Sequence, residues 1–354
     1  MSVLFSPLRL RGLELRNRVA VSPMCQYSSQ DGLPNDWHLV HLGSRAVGGA
    51  GLVVAEATAV VPEGRISPGD TGIWSDAQAQ AWSRIARFVK EKGAAAGVQL
   101  AHAGRKASTD VPWRGGRAVA PEAGGWTPVG PGAEPFMDDF PVPRALSVGE
   151  IRGVVDAFAA AARRARSAGF DCLELHMAHG YLVHQFLSPV SNHRDDAYGG
   201  PLVNRMRLAL EVAHAVRAAW PEERPLLVRI SASDWIEGGW DLEQSIALCR
   251  ALAQAGVDLV DCSSGGSVPH AKVPLGPGYQ VPFAEAIRRQ AGVKTGAVGL
   301  ITEPLQAESI VAEGKADVVF LARAMLRDPY WPLHAAQVLG AAAAWPVQYH
   351  RARP

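Results

Sequence analysis

Two histidines and a tyrosine share the short run His176-Met177-Ala178-His179-Gly180-Tyr181. Imidazoles exchange protons near neutral pH and a phenol can donate one, so this run is unusually polar and reactive. The same histidines could begin a metal site, but no His-Glu-x-x-His or His-x-His accompanies them and no further ligand cluster is evident; a metal-dependent barrel hydrolase stays as the alternative. Cys25, within Ser22-Pro23-Met24-Cys25-Gln26-Tyr27, offers a thiol. No motif pairs it with an activating His and Asn, so acyl transfer has little support. Gln99, the run His102 to Lys106, Arg229, Thr295-Gly296-Ala297 and Ala322-Arg323 add amide, cationic and glycine-backbone donors. The last two runs are of the kind that hold a phosphate on backbone N–H groups with the help of an Arg fork.

These residues need a scaffold that brings distant segments to one face. Short apolar runs of β type recur, each followed by a longer segment of helical period, which predicts parallel βα units. The strand candidates are Val19 to Val21, Gly51 to Ala55, Gly97 to Leu100, Phe170 to Leu175, Leu226 to Ile230, Leu259 to Asp261, Thr295 to Val298 and Val318 to Leu321. Eight such units close an α/β (β/α)8 TIM barrel, whose active site lies at the C-terminal strand ends, where every reactive run named above falls. The helix over Asp76 to Gly93 opens on an acidic cap, and that over Ser147 to Gly169 opens on a capping box, Ser147 to Glu150. Leu8 to Leu15 reads as an N-terminal hairpin turning at Arg11-Gly12 that plugs the bottom of the barrel. Val111 to Pro143 is rich in Pro and Gly without periodicity, so it is expected to be a long excursion after the third strand, forming a lid or pocket wall rather than a second domain. Residues 1–354 are thus expected to form one barrel domain.

Composition sets the outer limits. The 354 residues are 48% hydrophobic and 19% charged with a net charge of +1, ordinary for a globular enzyme and unsuited to a nucleic-acid partner. The densest basic run, Arg163-Arg164 with Arg166, falls in a helical stretch and reads as a solvated face. No apolar run reaches membrane-spanning length, and Met1 to Pro7 has no secretory pattern. The four cysteines, Cys25, Cys172, Cys249 and Cys262, form no close pair, so a reducing cytoplasm is expected.

Several separated blocks together resemble the Old Yellow Enzyme family, in its bacterial thermophilic-like subclass with an active-site cysteine. They are Ser22 to Tyr27, Glu56-Ala57-Thr58-Ala59-Val60, Gly72-Ile73-Trp74-Ser75, Gln99 to Lys106, and His179-Gly180-Tyr181-Leu182 through Ser191-Asn192-His193-Arg194 to Tyr198-Gly199-Gly200. The resemblance spans nearly the whole chain. It implies an FMN-binding NADPH dehydrogenase and ene-reductase that takes electrons from NADPH or NADH and reduces the C=C bond of α,β-unsaturated carbonyl or nitro compounds. Nitrate esters and other xenobiotics are alternative acceptors for the same site.

The resemblance also implies roles. Ser22, Pro23, Met24 and Cys25 would surround the isoalloxazine with Ala57 nearby, and Gln99 would bond its pyrimidine edge. Arg229 would face the end where reduction leaves negative charge. Gly296, Gly299, Ala322 and Arg323 would hold the phosphate, with Ala322 standing where the family often has Gly. His176 and His179 would donate to the substrate oxygen, each such donor being worth about 10²–10³ in rate. Tyr181 would protonate the carbon opposite the incoming hydride, Tyr27 would help hold the oxygen, and Cys25 would tune the flavin and pocket without forming a covalent bond. The tail Pro346 to Arg351 implies a homodimer or homotetramer in which Arg351 reaches a neighbouring subunit's site. Lys106 belongs to the matching motif without an assigned role.

Overall fold

Eight of the apolar runs form parallel strands, and pairing between the first and last closes them into a barrel. The computed structural model describes residues 2–353. In chain order the strands are β1 (Leu8–Leu10), β2 (Leu13–Leu15), β3 (Val19–Val21), β4 (Leu52–Ala59), β5 (Ala95–Ala101), β6 (Val129–Gly130), β7 (Arg144–Ala145), β8 (Cys172–Met177), β9 (Leu226–Ser231), β10 (Leu259–Ser263), β11 (Lys294–Ala297) and β12 (Val318–Leu321). The ring runs β3-β4-β5-β8-β9-β10-β11-β12 and closes where Leu321 pairs with Val21. Helices follow these strands on the outside, and their apolar faces pack on the barrel's outer surface.

The capping box at Ser147 and Glu150 forms, and Gly169 ends that helix at φ +87°. The other expected cap is corrected. Asp76 is already helical, and the capping hydroxyl belongs to Ser75, whose extended backbone lets it accept from the Gln78 N–H while Gln78 reaches back to the Ser75 N–H. Strand β4 also runs beyond Ala55. Glu56 interrupts the apolar pattern, yet the strand continues through a bulge between Ala55 and Ala57 because the buried carboxylate is partnered by the Gln26 N–H at 2.8 Å and by His38 Nε2 at 3.2 Å.

The hairpin forms in the expected register, Leu8 opposite Leu15, with Arg11 at φ +50° in the turn. Its Leu8, Leu10 and Leu15 pack with Leu52, Val54, Cys172, Leu227, Leu259, Val318 and Phe320, closing the N-terminal end of the barrel. Strand side chains alternate, so every second residue upward from this apolar plug shares the interior. That ladder reads Cys172, Glu174, His176 on β8, Leu227, Arg229, Ser231 on β9 and Leu259, Asp261, Ser263 on β10. The interior is apolar at the base, charged in the middle and hydrogen-bonding at the mouth. The excursion after β5 is present as short 3-10 turns and the two-residue ladder of β6 with β7.

Gly296 belongs to this interior. A Cβ there would stand 2.3 Å from Phe320 Cε2, so the missing side chain makes room for the ring. Overpacking of this kind costs about 1–3 kcal/mol. Gly296→Ala is expected to lower the thermal midpoint, and adding Phe320→Leu to recover most of the loss; an unchanged midpoint for the single variant would contradict the packing role.

Candidate active site

The loop leaving β3 is shaped by its neighbours. Ser22 N–H bonds Leu321 O at 3.0 Å, completing the closure of the ring, while its buried hydroxyl has no protein partner. Beyond it Pro23, Met24 and Cys25 are half-buried, and the Gln26 N–H is tied to Glu56. Tyr27 takes a left-handed φ of +49°, and Gly69 lets the chain approach so closely that a Cβ would lie 2.8 Å from Tyr27 O. Burial, with the charges of Asp70 and Glu56, pushes the Cys25 thiol well up. A neutral thiol is a poor nucleophile.

At the end of β8 the three reactive rings meet edge to face. His176 lies 5.2 Å from His179 and 4.8 Å from Tyr181 between centroids, at 87° and 85°. The Ala178 N–H points at His176 Nδ1 at 3.3 Å; a backbone amide can only donate, which places the ring proton on Nε2. His179 Nε2 stands 2.7 Å from Ser263 Oγ. Burial, then the Arg229 charge, holds both imidazoles well below the ordinary histidine range, so each is neutral with one N–H to offer. Burial, with Cys25 and Asp70 nearby, raises the Tyr181 hydroxyl, which therefore keeps its proton. Tyr27 is raised likewise, chiefly by burial, and Trp113 of the excursion meets its ring at 5.7 Å.

The floor beneath the mouth is ionic. Arg229 Nε stands 3.1 Å from Asp261 Oδ2, and the Gln99 amide donates to Glu174 Oε1 at 2.7 Å. Burial, aided by Asp261, pushes the Glu174 carboxyl up, and burial pushes Asp261 up against the pull of Arg229. With its amide nitrogen directed at Glu174, Gln99 has its carbonyl oxygen left to offer a ring above it.

Where β11 and β12 end, a cavity of about 240 Å³ is lined by Arg229, Ser263, Gln280, Gly299, Thr302, Ala322, Arg323 and Arg327. Gly299 sits at φ +119°, and a Cβ on it would come within 2.7 Å of Gln280 Nε2. Ala322, at φ −103° and ψ −95°, leads into the short helix that carries Arg323 and Arg327. Gly296 packs against Phe320, which itself lines this cavity. Arg327 joins Arg323, and their four-residue spacing on one helical segment was visible in the sequence. One end of the mouth thus offers cations and the other flat hydrogen-bonding groups, a donor set that fits a phosphate-bearing heteroaromatic cofactor. The histidines gather no third ligand: among the described residues no group of three His, Cys, Asp or Glu side chains could hold a metal ion. Among the described residues no helix is long and apolar enough to cross a membrane.

Asp70 was not singled out by motif. Its carboxyl accepts the Ile66 N–H at 2.7 Å and the Ser67 hydroxyl at 2.8 Å and shares a small cavity with Ala57 and Tyr181. The only signal for it was the turn preceding Ile73-Trp74. Arg351 lies exposed in the 3-10 segment Val347–Ala352, in which Tyr349 packs against Tyr330 at 6.0 Å between ring centroids.

The sequence profile described as the NADH:flavin oxidoreductase / NADH oxidase family matches residues 3–341. An NADPH dehydrogenase of Geobacillus thermodenitrificans (strain NG80-2) is 49% identical over 352 residues, covering 99% of this chain and 98% of the relative. Morphinone reductase in complex with tetrahydroNAD superposes with a TM-score of 0.78 at 30% identity, covering 97% of this chain and 92% of the other. The old yellow enzyme homologue from Zymomonas mobilis gives a TM-score of 0.79 at 27% identity, covering 99% of each chain.

Burial raises the Asp70 carboxyl from 3.8 to about 7. A raised carboxyl favours the fold in its neutral form, so this contribution is full below the unfolded value and is lost as pH rises through the folded one. The stability of the wild type relative to Asp70→Asn is therefore expected to fall between about pH 4 and about pH 7. Thermal unfolding of both proteins across that window measures it, and a difference that stays constant would show that Asp70 does not titrate there.

Proposed function

Because the chain belongs to the NADH:flavin oxidoreductase / NADH oxidase family, and is accordingly a flavin-dependent oxidoreductase using FMN and a nicotinamide reductant, we propose that its mouth reduces the C=C bond of small, electron-poor alkenes. The substrates are α,β-unsaturated carbonyl or nitro compounds. The observation that carries this reading is the neutral His176–His179 pair packed against a protonated Tyr181.

Ser22, Pro23, Met24, Ala57, Gln99 and Arg229 would hold the ring of FMN, and Gly299, Ala322, Arg323 and Arg327 its phosphate. When bound, FMN supplies the hydride. His176 and His179 offer N–H groups to the substrate oxygen, and because both rings are already desolvated and fixed, they stabilise the charge that develops there without reorganising. Tyr181 supplies the proton to the carbon next to the activating group; its hydroxyl keeps that proton at any working pH, so transfer is coupled to charge building on the substrate. Tyr27 assists in holding the oxygen. Cys25 stays a neutral thiol that shapes the pocket and tunes the ring beside it. Arg229, permanently charged and braced by Asp261, provides positive potential at the edge where reduction places negative charge.

The second part of the reading concerns assembly. Arg351 is exposed, yet its segment is anchored through Tyr349, the arrangement expected of a side chain that completes the mouth of a neighbouring subunit in a homodimer or homotetramer.

Recorded anaerobically, the visible spectrum of the purified protein is expected to be that of oxidised flavin, to bleach with NADPH and to return with 2-cyclohexen-1-one. Bleaching without return would refute alkene reduction. Tyr181→Phe is expected to slow the return by about 10²–10⁴ while leaving the bleaching step in place. Arg351→Ala is expected to lower enone turnover with FMN content unchanged, and wild-type turnover would remove the arginine from the site.

A further inference from the structure

The segment carrying His179 and Tyr181 is held in an unfavourable shape. His179 and Gly180 adopt φ +60° and +71° in succession, and a Cβ on Gly180 would lie 2.1 Å from Gly266 O. A side-chain-bearing residue in the left-handed region persists only where its surroundings over-determine it. Each polar group of these two residues' backbones is met by a different side chain. Ser231 Oγ accepts the His179 N–H at 2.9 Å, Lys106 Nζ donates to His179 O at 2.9 Å, His184 Nδ1 accepts the Gly180 N–H at 2.9 Å, and Gln185 Nε2 donates to Gly180 O at 2.7 Å.

His184 is itself fixed. Since a backbone N–H can only donate, Nδ1 holds a lone pair and the proton sits on Nε2, which faces Asp234 Oδ1 at 3.1 Å. Both side chains are fully buried, and Asp234 Oδ2 accepts further bonds from the Ser188 hydroxyl and the Trp240 N–H. Lys106 also reaches Gly266 O at 3.2 Å, joining the turn to the loop after β10.

We propose that Lys106, His184 with Asp234, Gln185 and Ser231 are positioning residues, a four-point clamp that sets the aim of His179 and the Tyr181 hydroxyl. The inference rests on the roles proposed above for those two residues. Two variants release opposite sides of the turn: Lys106→Met removes the donor to His179 O, and His184→Leu removes the acceptor for the Gly180 N–H. Each is expected to lower kcat/KM for 2-cyclohexen-1-one about tenfold relative to the rate at which dioxygen reoxidises the reduced protein, because dioxygen needs neither side chain of the turn. Amide exchange over residues 178–187 of the holoenzyme is expected to accelerate in both variants while that of the barrel strands does not. Enone and dioxygen rates that fall together, or an enone rate that does not change, would overturn the clamp. Should either variant fail to fold, the other decides, and rapid exchange of the Gly180 amide in the wild type would overturn the proposal by itself. A wild type that does not reduce the enone would instead defeat the functional reading and leave the exchange result standing.

Discussion

Desolvation at the C-terminal end of a closed barrel is the condition on which the rest of this site depends. Strand closure carries His176, Arg229 and Asp261 inward together with Glu174, away from water. In that setting burial works against every charge that lacks a partner. The histidines become neutral donors, Tyr181 and Tyr27 keep their protons, Cys25 stays a thiol, and Glu174 and Asp70 are pulled toward neutrality. Arg229 is the exception because it has a partner, the Asp261 carboxylate 3.1 Å away. It remains a fixed positive charge in surroundings otherwise pushed toward neutrality, braced by a single carboxylate, Asp261.

The apolar plug makes that arrangement affordable. Leu8, Leu10 and Leu15 seal the opposite end and pack against the lowest layer of strand side chains, so the polar layer above stands on a closed, well-packed base. Gly296 and Phe320 show how tight this base is. A chain that places ions halfway along its barrel has to recover stability below them and in the surrounding helices, whose apolar faces form the larger core.

The excursion after β5 adds the wall that the barrel lacks. Trp113 meets Tyr27, and Phe136 lies 4.3 Å from Lys106 Nζ, so aromatic surface flanks the mouth on the side of both tyrosines. A cation over the face of a ring is attracted by its quadrupole, and Lys106 also lies 5.3 Å from the Tyr181 ring. Planar, conjugated molecules suit such walls better than branched ones.

The sequence alone determined the eight strands, because apolar runs alternating with helical periods leave few other closed solutions, and it determined the hairpin through its two short apolar runs and the Arg11-Gly12 turn. It also put His176, His179, Tyr181 and Arg323 at or just past strand ends, where motif and period agree, whereas Arg229, expected to end its strand, lies two residues inside β9. Strand β4 past Ala55 was harder to read, as Glu56 breaks the pattern and only its buried partners explain the continuation. What tertiary structure decided is which distant groups touch. Asp261 braces Arg229 and Glu174 takes the amide of Gln99, Asp70 shares a cavity with Tyr181, Arg327 joins Arg323, and Gly296 lies against Phe320. These pairings join residues on different strands and loops, and their energetics depend on how much water closure removes. Local pattern records neither quantity: periodicity encodes which face a residue occupies, whereas the dielectric around it and the partner opposite exist only once the ring is closed.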